Sequence, residues 1–90
     1  MIHELKILPE YFRHIVDMTK PFEVRKIEKY RTFNVGDELI LREFVPNDCE
    51  DFEQREHYTG QICHRIITYK LKLSELGIEG DWVVLGLARK

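Results

Sequence analysis

The segment Thr19-Lys20-Pro21-Phe22-Glu23-Val24-Arg25-Lys26 holds the residues best suited to chemistry. Glu23 and Arg25 lie two apart, so on an extended strand both side chains leave the same face, and Phe22 and Val24 would supply the buried one. A guanidinium at Arg25 can hold a phosphate or carboxylate by a two-pronged hydrogen bond. Lys20 precedes the strand and offers a mobile positive charge, or a nucleophile or base if it is desolvated. Glu23 can take a proton, or accept hydrogen bonds from the amino group of a base. The plainer reading of the same spacing is a solvated strand face with a Glu–Arg pair worth about 0–1 kcal/mol.

Other reactive residue types are more scattered. Arg25, Lys26, Lys29 and Arg31, interleaved with Tyr30 and Phe33, have the composition that tracks a single-stranded backbone and stacks bases. Glu28 interrupts that run, and an ordinary solvated loop has the same composition. His57, His64, Cys49 and Cys63 are metal-ligand types, but no Cys-x-x-Cys or His-x-x-x-His spacing joins them, so neither a metal nor a cofactor is expected. Cys63 and His64 are sequential on a strand and point to opposite faces, which leaves Cys63 to fill the core. There is no glycine-rich phosphate loop and no Gly-x-Ser-x-Gly elbow. Trp82 and Tyr69 have the ring types that line pockets or cores.

These residues need elements to place them. His3–Leu8 alternates with Leu5 and Ile7 on one side, as a short strand does. Pro9 suits the first turn of a helix, and Tyr11, Phe12, Ile15 and Val16 form one helical stripe within Glu10–Thr19. Pro21 closes that helix, and Phe22–Ile27 alternates again. Asn34-Val35-Gly36-Asp37 is a turn. It leads into a strand over Glu38–Phe44 with Leu39 and Leu41 on one face. The stretch from Val45 to Tyr58 is polar and acidic, a loop or the flared end of a hairpin. Gln61–Leu71 is the longest strand pattern and is rich in β-branched residues. Ser74–Gly80 is a turn or a single helical turn, and Trp82–Leu87 reads as a central strand buried on both faces. The sum is mainly β with one or two helices (α+β): a small, mostly antiparallel curled sheet or partly open barrel, with the N-terminal helix packed on one end.

Composition sets the limits. Ninety residues make one domain, 1–90, with 43% hydrophobic and 33% charged side chains. Fourteen basic and 16 acidic side chains give a formal net charge of −2, which argues against a sequence-independent grip on duplex nucleic acid. No stretch approaches the roughly 20 apolar residues of a membrane span, and none reads as a secretory signal. A cytoplasmic location, no membrane partner and two free cysteines are expected. The −2 is unevenly laid out, with a basic stretch from Lys20 to Arg31 and an acidic one over 48–56.

The order of these motifs resembles the ASCH domain family of the PUA-like superfamily, closest to a compact bacterial and phage branch catalogued as a domain of unknown function. The resemblance runs from His3 through Phe12, then Lys20–Lys26, Phe33–Phe44, Tyr58-Thr59-Gly60, Ile66–Tyr69 and Trp82–Leu85. Lys20, Glu23 and Arg25 sit on the family's lysine, Glu-or-similar and arginine positions, where a helix meets a strand. The resemblance implies a β-barrel of five or six strands with a cleft near the early helix, and a role linked to RNA or nucleotides. A small ASCH-like enzyme that deacetylates acetylcytidine resembles this chain at Lys20 and Arg25. It has threonine where Glu23 stands and uses a later carboxylate, for which Glu75 and Glu79 are the candidates here. A hydroxyl nucleophile and a carboxylate are not interchangeable in mechanism. His3 and Lys6, on the first strand, are expected to face the same cleft.

The leading expectation is therefore an RNA- or nucleotide-binding domain whose cleft is lined by Lys20, Glu23 and Arg25, with Lys26, His3, Lys6 and Tyr69 nearby. Lys20 and Arg25 would neutralise phosphate, Glu23 would read a base amino group or orient Lys20, and Tyr69 would stack. One alternative is a small amidohydrolase acting on an acylated nucleoside, with Lys20 as general base and Glu23 as its partner. A second is a phage or mobile-element accessory protein that meets a protein partner through 48–56. The sequence leaves the oligomeric state open.

Overall fold

The computed structural model describes residues 1–46 and 56–90. In chain order it has β1 (Ile2–Ile7), α1 (Pro9–Val16), β2 (Phe22–Lys26), β3 (Glu38–Val45), β4 (His57–Lys72), a 3-10 turn (Leu73–Leu76) and β5 (Trp82–Arg89). The strands form one sheet in the order β1-β3-β4-β5-β2. β1 runs parallel to β3, and every other neighbouring pair is antiparallel. The sheet curls into a half-barrel. β1 and β2 are its two outer strands and no backbone ladder joins them. The acidic stretch and Cys49 lie outside the described residues, apart from Glu56, which is exposed. No helix among the described residues is long and apolar enough to cross a membrane.

Strict alternation builds the core. Leu5 and Ile7 of β1, Leu39 and Leu41 of β3, Cys63 and Ile67 of β4, and Val83, Leu85 and Leu87 of β5 are all buried on one side of the sheet. Phe12 and Ile15 of α1 and Phe33 complete the cluster. Each such side chain contributes about 1.5–3 kcal/mol on leaving water. The 16-residue β4 is the spine, pairing with β3 through its first part and with β5 through its second. Register shifts between Arg42 and Phe44 and between Ile67 and Tyr69 bend the sheet where these ladders change.

β5 and α1 differ here from the sequence reading. β5 is internal, yet it buries only alternate residues, because the core lies on one side of the sheet and Trp82 on the other side is 42% exposed. The helix stripe is narrower than its spacing implies. Phe12 and Ile15 are buried, whereas Tyr11 and Val16 lie at its exposed margins, and the α-helix ends at Val16. Arg65 secures that end. It is buried on the inner face of β4, and its Nη2 donates to the Ile15 carbonyl at 3.0 Å. A cation at a helix C-terminus satisfies an orphan carbonyl and complements the helix dipole.

A second polar clasp ties β1 to the turn before β3. Gly36 takes φ 95°, a left-handed conformation that glycine adopts without steric cost. The turn presents the Asp37 carboxylate to the Asn34 N–H at 3.1 Å and to His3 Nε2 at 2.8 Å. The His3 ring packs against Phe33, centroid to centroid 4.7 Å. An ionised carboxylate only accepts, so Nε2 carries the proton in this pair. The His3 hydrogen bond is the main cause holding the Asp37 carboxyl below its ordinary value of 3.8, against the opposing effect of burial. A depressed carboxyl contributes stability in full above its unfolded value. That contribution shrinks below about 3.8 and is gone once the pH has fallen through the folded pKa. Asp37→Asn is therefore expected to cost about 1–3 kcal/mol at neutral pH by urea unfolding. It should also flatten the loss of stability that the wild type shows below about pH 4. An unchanged acid limb would contradict this role for Asp37.

Candidate functional site

Charged side chains gather where the sheet fails to close. At this seam β2 and β1 face each other, and a cleft of about 480 Å³ opens between them. Its walls carry Lys6 from β1, Tyr11 from α1, Lys20 from the connection, Glu23 and Arg25 from β2, and Trp82 from β5. Ile7, Leu8 and Val24 supply its apolar lining.

The chain places Lys20 by ending α1 abruptly. Met18 takes φ 62°, the Thr19 and Lys20 N–H groups both donate to the His14 carbonyl at 3.0 Å, and the Thr19 hydroxyl lies 2.8 Å from His14 Nδ1. Lys20 then extends over the rings of Tyr11 and Phe22, at 4.8 and 5.5 Å, with its ammonium 3.6 Å from Glu23 Oε1. A cation held over aromatic faces is attracted by their quadrupoles.

Glu23 corrects the expected facing of β2. The strand alternates as its sequence implies, but Glu23 is the buried residue at 4% exposure, while Phe22 and Val24 are 41% and 39% exposed. The register is the reason. Glu23 stands opposite Leu85 and Arg25 opposite Val83, both inward residues of β5, so the polar pair is turned inward with them. At the outer strand the inward side opens onto the seam, so carboxylate and guanidinium meet in the cleft.

The ion contacts are specific. Glu23 Oε1 accepts from the Val24 N–H at 3.1 Å, and Oε2 lies 3.5 Å from Arg25 Nη2. The same Nη2 donates to the Lys6 carbonyl at 2.6 Å, so Arg25 spans the seam from β2 to β1. Arg25 Nε is buried and has no hydrogen-bond partner. Lys6, Lys20 and Arg25 against one carboxylate leave the cleft positively charged within a chain of net charge −2. Trp82, on β5 beside β2, packs against its own turn. Gly80 has φ 105°, and a Cβ there would stand 2.9 Å from Trp82 Cδ1.

Of the residues expected at the site, Lys20, Glu23, Arg25 and Lys6 meet here, and His3, Lys26 and Tyr69 do not. His3 points from the opposite face of β1 to Lys6 and is taken up by Asp37. Lys26 is exposed away from the lining, and Tyr69 is 60% exposed on β4. Glu75 and Glu79 are exposed and do not line the cleft. The basic run is dispersed by folding. Arg25 turns into the seam, Arg31 pairs with Glu28, Phe33 enters the core and Tyr30 is 91% exposed. Cys63 is a buried free thiol and His64 is exposed. Among the described residues no three His, Cys, Asp or Glu side chains gather as a metal site. The sequence reading did not assign Tyr11 to the cleft. Its signal was a tyrosine at the margin of the helix stripe, where the ring has an apolar body and a polar tip.

The inverted facing of β2 gives a direct test by chemical unfolding. Glu23→Ala leaves two cations at the seam without their carboxylate and is expected to cost about 1–3 kcal/mol, discounted for the partial exposure of its partners. Phe22→Ala should cost less than Glu23→Ala, since the ring is largely outside the core. The reverse order would contradict the inward placement of Glu23.

A family model described as "Domain of unknown function (DUF3850)" matches residues 2–87. No curated protein matches the chain. With nearly its whole length matched, the chain belongs to the DUF3850 family of domains of unknown function.

Proposed function

We propose that the seam cleft binds a nucleotide unit, free or within RNA, as an ASCH-like member of the PUA-like superfamily would. The observation that carries the reading is the pairing of Lys20 and Arg25 with one buried carboxylate, in a cleft that Lys6, Tyr11 and Trp82 also line. Phosphate recognition calls for cations at short reach, and base recognition calls for a ring to stack on and a fixed acceptor. Lys20 and Arg25 supply the first, Trp82 and Tyr11 the second. Glu23, already oriented by the Val24 N–H, supplies the third. A cleft of this volume suits a single nucleotide unit and not a duplex.

The amidohydrolase reading rests on the Lys20–Glu23 approach of 3.6 Å. Both Glu23 oxygens are already engaged, Oε1 by the Val24 N–H and Lys20 and Oε2 by Arg25, which suits a fixed recognition group better than a proton carrier. Turnover of an acylated nucleoside by the wild type, abolished in Lys20→Ala, would reverse that preference.

Trp82 is the chain's one tryptophan, so its emission reports on the cleft directly. Titration with nucleoside monophosphates is expected to quench it and to shift the backbone amides of residues 20–26. Lys20→Ala should weaken binding about ten-fold or more, the loss of one charge-assisted contact. Unmoved amides and unchanged emission at millimolar ligand would overturn the binding reading.

A further inference from the structure

The cleft does not end at its rim. Lys6 is one of its lining residues, with its carbonyl bound by Arg25, and its ammonium lies 4.5 Å from the centre of the Phe44 ring and 5.9 Å from that of Tyr58. Lys6 stands opposite Arg42 in the β1–β3 register, and Phe44 stands opposite Tyr58 in the β3–β4 register. The four residues share the outer face of the sheet, away from the core side chains Leu39 and Leu41. The Arg42 guanidinium is stacked 3.7 Å above the Tyr58 ring, and Phe44 meets Tyr58 edge-on at 5.2 Å.

Some of the cations are paired with carboxylates. Lys20 and Arg25 share Glu23, Arg31 has Glu28 and Lys90 has Glu38. Among the described residues neither Lys6 nor Arg42 has a carboxylate partner. A guanidinium lying on a ring is pre-organised, with its N–H donors at the rim of the stack where a phosphate can take two of them. Adjacent rings with cations between them are the composition of a single-strand track. Four cations on so narrow a path are too few for the many phosphate contacts by which proteins hold a duplex.

We infer that the cleft's ligand is a single strand of several nucleotides, one unit seated between Tyr11 and Trp82 and the next ones passing Lys6 onto the Arg42–Phe44–Tyr58 face. The inference rests on the nucleotide reading above and deepens it. Lys6 is the pivot, since it belongs to both surfaces. Arg42 holds a phosphate outside the cleft, and the Tyr58 and Phe44 rings offer stacking faces to the unit that follows.

The test compares cytidine and uridine monophosphates with the corresponding five-nucleotide RNAs, using Trp82 emission and amide shifts. The pentamers are expected to bind about ten-fold or more tightly than the monophosphates, the gain of one stacked base. Their shifts should extend to residues 42–44 and 58. Arg42→Ala should remove most of that gain and reduce the salt slope of pentamer binding by about 0.7. Monophosphate affinity should stay unchanged. Tyr58→Ala should act likewise, and Tyr58→Phe should restore the wild-type value; retained amide dispersion confirms that each variant is folded. Pentamers that bind no more tightly than monophosphates would overturn the extended track and leave the cleft reading standing. So would variants that weaken both ligands alike. Monophosphates that fail to bind at all would overturn the cleft reading itself.

Discussion

The buried carboxylate of Glu23 is the constraint on which the seam depends. A carboxylate on the core side of a sheet is tolerated only with cations and donors around it. Here the β2–β5 register turns Glu23 inward, and the chain supplies the Val24 N–H, Lys20 and Arg25 to meet it. Arg25 must then sit in the gap, where it also takes the Lys6 carbonyl. The same side chains thus balance a buried charge, bridge the two outer strands and create a positively charged cleft. Balancing the buried charge and shaping the cleft fall to one set of groups, because an outer strand has an inward face that solvent can reach.

Arginine and aspartate are used as clasps elsewhere in the half-barrel. Arg65 reaches from β4 to the last turn of α1, and Asp37 gathers His3 and the Asn34 N–H where β3 begins. Both are buried polar residues joined to groups far away in sequence. A chain of this size buries a limited fraction of its surface. Long-range polar ties of this kind fix the helix and the first strand against a core assembled from a single sheet face. The position of Lys20 in the cleft follows from that, since it is set by where α1 ends.

Much of the fold was legible in the chain. Alternation over β1, β3 and β4, the proline that opens α1 and the Gly36 turn all appear where their patterns lie. These are local signals, dictated by side-chain periodicity and by the few residues that suit a turn. Lys20, Glu23 and Arg25 were recognisable for the same reason: a lysine at a helix exit followed by charged residues at two-residue spacing on a strand. The facing of β2 was not legible. Alternation tells which residues share a face but not which face is inward, and two hydrophobic residues were the natural choice for the inside. The β2–β5 register decided otherwise.

His3 and Lys6 make the same point within one strand. Three residues apart on β1, they must leave by opposite faces, so only one of them can reach the seam. Which one does was settled by Asp37, brought beside His3 from 34 residues away. Trp82 and Tyr69 both had the chemistry of a pocket wall, and only Trp82 is in one, because β5 lies next to β2 and Tyr69 sits on β4 beyond it. The sequence by itself determined the residue types, the periodicities and the elements, since these depend on neighbours along the chain. The tertiary structure alone decided strand order, the inward face of β2 and the membership of the cleft, since these depend on pairings between residues tens of positions apart.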